Sequence, residues 1–144
     1  MAFDIYAFDL FAAPHDRHDL LDWVHRTFRD VDGPLAGDPA HLTPALRAWH
    51  ADLAKSFPAA SDPHRFDVSS SSHLASYRFA QNMVQASFDW DSSGPALYRA
   101  RRAAQTNAVG LFEASSTDGA VWMVSPRGRW EVVHRSDDTG RRFG

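Results

Sequence analysis

The chain has 144 residues, 44% of them hydrophobic and 12% aromatic, a composition that builds one core and excludes global disorder. No cysteine is present, so disulfides, thiolate zinc sites and a thiol nucleophile are excluded. The net charge of −3 divides into −5 over residues 1–70 and +2 over residues 71–144. No apolar run approaches the ~18 residues that cross a bilayer, and no secretory leader opens the chain, so we expect a cytoplasmic protein without a membrane partner.

The first half of the chain predicts one strand and two helices. Aromatic and β-branched residues over residues 3–9 predict a strand that is buried on both faces. Asp16 precedes an apolar stripe at helical spacing, which predicts a helix over residues 16–30. Thr43 as the cap and a proline in the first turn begin a second helix, which ends at the next proline.

The second half predicts a hairpin, a third helix and further strands. Alternating aromatic and polar residues over 73–80 and 83–90 predict the hairpin. A helix with small inner residues follows and runs to about Thr106. The remaining strands are predicted over residues 111–115, 121–124 and 130–134.

This order of elements predicts the class of fold. A β-α-α-β-β-α-β-β order is typical of an α+β domain with a mostly antiparallel sheet, helices packed on one face and a ferredoxin-like (split βαβ) arrangement. We expect a single domain over residues 1–135, and a frayed, polar C-terminal tail over residues 136–144.

Metal binding and acid–base catalysis are weakly supported by the residue pattern. His18 and Asp22 share a helix face, but no third ligand follows at a fixed spacing, so we expect neither a metal nor a cofactor. Asp89 and Asp91 lie at a predicted strand end, where paired carboxylates can serve general acid–base chemistry. A small enzyme with an acidic pocket at the sheet edge is therefore one alternative function. Asp4 and Asp9, at the two ends of the first strand, form a second such pair.

A nucleic-acid-binding module is the other alternative. Three arginines of the third helix suit contacts with phosphates, although the chain is net acidic. They are Arg99, Arg101 and Arg102, and more arginines follow at Arg127, Arg129, Arg135, Arg141 and Arg142. This alternative requires that the arginines form one stripe.

Several segments resemble a family of small bacterial α/β proteins that has no established activity. They are FDIYAFD at residues 3–9, TPALRAW at 43–49, residues 77–90, Arg101-Arg102, VGLFE at 109–113 and GAVW at 119–122. The chain departs from the family pattern at Ala108, where a glycine is usual at the helix end. Small acidic domains of this kind are similar to immunity proteins that neutralise bacterial toxins.

These observations favour a non-enzymatic protein-binding domain, and specifically an immunity protein that occludes a bacterial toxin. An acidic surface in the first half would attract the partner, and exposed aromatic residues would anchor it. The predicted contact residues are Asp19, Asp22, Trp23, Asp30 and Asp32.

Overall fold

The helices and strands are defined by a computed structural model that describes residues 2–29, 39–59 and 74–135. In chain order they are β1 (Ala2–Phe8), α1 (Arg17–Arg29), α2 (Pro44–Ser56), β2 (Ala75–Ala80), β3 (Met83–Asp89), α3 (Ser93–Asn107), β4 (Gly110–Phe112), β5 (Val121–Val124) and β6 (Trp130–His134). None of the helices in these ranges combines the length and the apolar character that a membrane crossing needs. The predicted tail, residues 136–144, lies outside the described residues.

The six strands form one sheet in the order β2-β3-β1-β4-β5-β6, and every neighbouring pair is antiparallel. The α+β class and the antiparallel sheet are therefore confirmed. β1 lies in the middle, between β3 and β4, as expected for a strand that is apolar on both faces. The ferredoxin-like arrangement stays a prediction.

The helices divide between the two faces of the sheet. Ile5 of β1 packs in the core beneath α2 and α3, while Phe8 of the same strand packs with Leu20 and Val24 of α1. Residues 5 and 8 point to opposite faces because side chains alternate along a strand. The prediction that all helices pack on one face holds for α2 and α3 and is wrong for α1. A strand that is apolar on both sides needs a cover on each side.

Small residues bring α3 close to its neighbours. Its buried residues are all alanines, at positions 96, 100, 103 and 104. Trp49 of α2 is fully buried, and its Nε1–H donates to the carbonyl oxygen of Ala100 at 3.1 Å. The α2–α3 face of the sheet is thus a closed layer in which a large indole fits against a helix with small side chains.

The ends of several elements differ from the sequence-based expectation. Asp16 caps α1 as predicted, because its Oδ2 accepts the Asp19 N–H at 3.1 Å. Thr43 stands at the start of α2, but its hydroxyl makes no hydrogen bond with any described residue. β4 ends at Phe112 instead of residue 115, and a turn begins at Ala114. This early end of β4 determines where Glu113 lies.

Candidate functional site

The most unusual side chain in the described structure is Glu113, a carboxylate that is only 1% exposed. It follows β4 directly, at the point where the chain leaves the sheet. Arg101 of α3 donates to both of its oxygens, Nε–H to Oε2 at 2.5 Å and an Nη2–H to Oε1 at 2.8 Å. The indole Nε1–H of Trp122 donates to Oε2 at 2.9 Å. The buried charge is therefore paired and hydrogen-bonded, as a carboxylate in a dry environment must be.

Arg101 lies between this buried group and the solvent. Its side chain is 40% exposed, and the guanidinium carbon is 5.2 Å from the centre of the Trp122 ring. The hydrogen bonds to Glu113 raise the pKa of Arg101 above its ordinary value. Two of its five N–H groups bind Glu113, and among the residues that the structure describes no hydrogen-bond partner occupies the other three, which can therefore meet a ligand or a partner.

Two tryptophans form a rigid plate beside this ion pair. The rings of Trp122 on β5 and Trp130 on β6 stack with centroids 4.6 Å apart and planes 17° from parallel. Trp130 Nε1–H donates to the Val109 carbonyl oxygen at 2.8 Å. Each indole therefore has its own hydrogen-bond partner, and neither ring can turn without losing it.

The tryptophans share one sheet face with two valines. In the β5–β6 pairing Trp122 lies opposite Val132 and Val124 lies opposite Trp130, so all four side chains point the same way. Val124 is 45% exposed and the other three are half-buried. We call these four residues together with Arg101 the tryptophan surface. It is an apolar, partly exposed area with a cation at its edge.

Of the five predicted partner-binding residues, the structure describes Asp19, Asp22 and Trp23. Asp19 and Asp22 are both exposed on α1, but Asp22 Oδ2 accepts from Arg26 Nε–H at 2.8 Å. Trp23 is half-buried and its ring meets the ring of Phe8 edge-on at 5.9 Å. The described part of this surface is therefore less acidic, and its aromatic residue less exposed, than the sequence suggested. Asp30 and Asp32 lie outside the described residues.

The carboxylates considered for acid–base chemistry lie at separate places. Asp89 and Asp91 are exposed near the end of β3, and Asp89 borders a shallow depression of about 280 Å³. Asp4 accepts a hydrogen bond from Ser87 Oγ at 2.6 Å, and Asp9 accepts one from a backbone N–H in the following turn. Asp4 and Asp9 thus serve local structure at opposite ends of β1.

The third-helix arginines do not form one stripe. Arg101 turns toward the sheet and Glu113, whereas Arg99 and Arg102 line a groove beside α2. Arg127 and Arg129 are exposed in the turn between β5 and β6. The basic residues are therefore spread over at least three places. Arg141 and Arg142 lie outside the described residues.

The described histidines take separate structural positions. Within the described ranges, no three His, Asp or Glu side chains are grouped so that they could hold a metal ion. His134 Nε2 lies 2.9 Å from the carbonyl oxygen of His15. His50 of α2 meets the rings of Tyr77 and Phe79 edge-on at 4.7 and 4.9 Å, and burial lowers the pKa of His50.

Glu113 is a site residue that was not predicted from the sequence, although a signal for it was present. Arg101, Glu113 and Trp122 all fall in the segments that carry the family resemblance. No general rule for spacing joins an arginine, a glutamate 12 residues later and a tryptophan nine residues after that. Only the packing of α3 beside β4 and β5 brings them together.

The chain was compared with known proteins in three ways. Searches against models of protein families, against curated proteins and against solved structures find no match. The resemblance to a bacterial family therefore stays a prediction. The function has to be inferred from the geometry of the surfaces described above.

Proposed function

We propose that the chain is a non-enzymatic protein-binding domain and that the tryptophan surface is where it contacts its partner. The observation that supports this proposal is the pair of stacked, partly exposed tryptophans beside a half-exposed arginine. Tryptophan and arginine are enriched among the residues that contribute most to protein–protein binding. The plate is already held by hydrogen bonds, so little side-chain entropy is lost when a partner covers it.

The charges around this surface favour a partner that is acidic at its rim. Arg127 and Arg129 are exposed in the turn that joins the two strands of the tryptophan surface, and Arg101 borders the Trp122 ring. Glu113 is buried and already paired with Arg101. This arrangement reverses the sequence-based proposal of an acidic surface for a basic partner. An apolar centre with a basic rim suits a partner with carboxylates around an apolar patch.

The immunity-protein hypothesis is a narrower form of the same proposal. In that form the partner is a bacterial toxin, and the tryptophan surface covers the site at which the toxin acts. Its direct test requires a toxin gene beside this one, and compares the growth of cells that produce that toxin with and without this chain. Wild-type chain should restore growth, and a variant of the tryptophan surface should not.

The binding experiment introduces one charge into the apolar surface. Val124→Asp places a carboxylate at the most exposed of its four apolar positions, where it leaves the core intact. Gln81→Asp adds the same charge to the exposed β2–β3 turn and is the matched control. Partners captured by the full-length protein from its natural cells are purified, and their affinities are measured by calorimetry. We expect Val124→Asp to weaken binding about a hundredfold and Gln81→Asp to leave it within twofold.

A third variant tests the surface that the sequence favoured. The double variant Asp19→Asn, Asp22→Asn removes two exposed charges from α1. If this variant abolishes binding and Val124→Asp does not, the tryptophan surface is not the contact. If no purified partner binds the wild-type chain, the protein-binding proposal itself fails.

A further inference from the structure

A groove between α2 and α3 carries a concentration of positive charge that the proposed function does not use. It has a volume of about 240 Å³. Its lining residues are Asp52, Lys55, Ser56, Arg99, Arg102, Ala103 and Thr106. Ala103 also lines the groove, and its short side chain takes up little of the space beside the longer cationic side chains of the two helices.

The single carboxylate of the groove already has partners. Asp52 Oδ2 accepts a hydrogen bond from Asn107 Nδ2 at 2.9 Å, and Asp52 Oδ1 lies 3.7 Å from Lys55 Nζ. Neither Arg99 nor Arg102 forms an ion pair with a carboxylate among the described residues. Arg102 instead lies near the exposed ring of Tyr98, at 5.8 Å from its centre. Both guanidinium groups therefore keep donors for an external anion.

We infer that this groove binds a dianionic phosphate group. With three cations and one carboxylate, the lining carries a net charge of +2, which matches a phosphate monoester above pH 7. Arginine binds phosphate oxygens through paired N–H groups, and the hydroxyls of Ser56 and Thr106 provide further donors. The groove is independent of the tryptophan surface, so either proposal can fail without the other.

The helix ends limit the expected affinity. The groove lies beside the last turns of α2 and the second half of α3, where the backbone carbonyls give a partial negative charge. The cations offset this charge before they attract a ligand, and the groove is open to water and to salt. We therefore expect a dissociation constant of about 1 mM at low ionic strength, a value that corresponds to a weak site for small molecules.

The experiment is a titration of the full chain with inorganic phosphate at pH 8 and low salt, followed by amide chemical shifts. Phosphate and sulfate should shift the amides around Arg99, Arg102 and Lys55, and acetate at the same concentration should not. Glycerol 3-phosphate is titrated in parallel, because tighter binding of this ester than of inorganic phosphate would identify the ligand as a phosphorylated small molecule. Equal affinity would identify phosphate itself as the ligand.

Two variants decide whether the groove is the site. Arg99→Gln with Arg102→Gln should weaken phosphate binding about tenfold, while their exposed positions leave the thermal midpoint unchanged. Arg29→Gln removes a charge from the exposed last turn of α1, a helix on the other face of the sheet, and should leave phosphate binding unchanged. The inference is overturned if wild-type amides do not shift, if acetate shifts them equally, or if the groove variant and Arg29→Gln bind phosphate alike.

Discussion

Trp49 and Trp130 make the same hydrogen bond and differ in what covers them. Each indole N–H donates to a backbone carbonyl, that of Ala100 for Trp49 and that of Val109 for Trp130. Trp49, a residue of α2, is fully buried and packs against the alanine residues of α3. Trp130 lies at the β5–β6 end of the sheet and stays half-buried. A hydrogen bond can therefore fix an indole that the protein leaves partly exposed, and such a fixed, partly exposed ring is suited to contact a partner.

The largest expected effect contrasts these two tryptophans. Trp49→Ala should lower the free energy of unfolding by about 4 kcal/mol, because it removes a fully buried ring and leaves a cavity. Trp130→Ala should lower it by about 2 kcal/mol, because only part of its surface is withdrawn from water. Urea unfolding followed by circular dichroism measures both values.

The phenylalanine variants serve as controls for this contrast. Trp49→Phe and Trp130→Phe keep an aromatic ring and remove the indole N–H, so each should cost less than the alanine variant at the same position. Equal losses for the two alanine variants would mean that Trp130 is as much a core residue as Trp49. The tryptophan surface would then no longer be a distinct region.

The next effect concerns the ion pair that anchors the tryptophan surface. Arg101→Met should destabilise the fold by about 3 kcal/mol, because the Glu113 carboxylate is buried and would lose its charged partner. Glu113→Gln should cost about 1 kcal/mol, since the half-exposed Arg101 side chain can reach water and the amide oxygen still accepts a hydrogen bond. Urea midpoints of the two variants give this asymmetry.

The asymmetry also distinguishes this pair from a surface salt bridge. Arg26→Met is the matched control, because the Arg26–Asp22 pair is exposed on both sides and should contribute less than about 1 kcal/mol. If Arg101→Met costs no more than Arg26→Met, then Glu113 has another route to solvation. The plate would in that case not depend on the buried carboxylate.

The fold was predictable to the extent that it depends on local periodicity. The alternation of residues 83–90 predicted β3, and the apolar spacing after Thr43 predicted α2, because each pattern shows which side of the element is apolar. The face of the sheet on which α1 packs was not predictable in this way. A helical stripe needs an apolar partner, but β1 offers one on each face, at Ile5 and at Phe8.

The candidate site was less predictable because burial of a charge depends on long-range contacts. Glu113 follows a short strand, and the local pattern of polar and apolar residues does not separate it from an exposed glutamate. It becomes buried because α3 places Arg101 over it and β5 places Trp122 beside it. Similarly, Arg101 and Arg102 are adjacent in sequence, yet one faces a carboxylate and the other a groove. The spacing of residues along the helix does not show which of the two arginines pairs with the buried carboxylate.

The smallest effect on stability is expected where helix α3 connects to the strands that carry the tryptophan surface. Ala108 joins α3 to the segment before β4 and has a left-handed backbone conformation, with φ 57° and ψ 49°. This conformation costs an L-residue about 1–2 kcal/mol, part of which glycine recovers despite its greater freedom in the unfolded chain. Ala108→Gly should therefore stabilise the protein by roughly 1 kcal/mol and raise the thermal midpoint by about 3 °C.

Ala108→Val, with a branched side chain at the same φ, should lower the midpoint. If glycine instead lowered the midpoint, the left-handed conformation of Ala108 would not be a source of strain at this helix end.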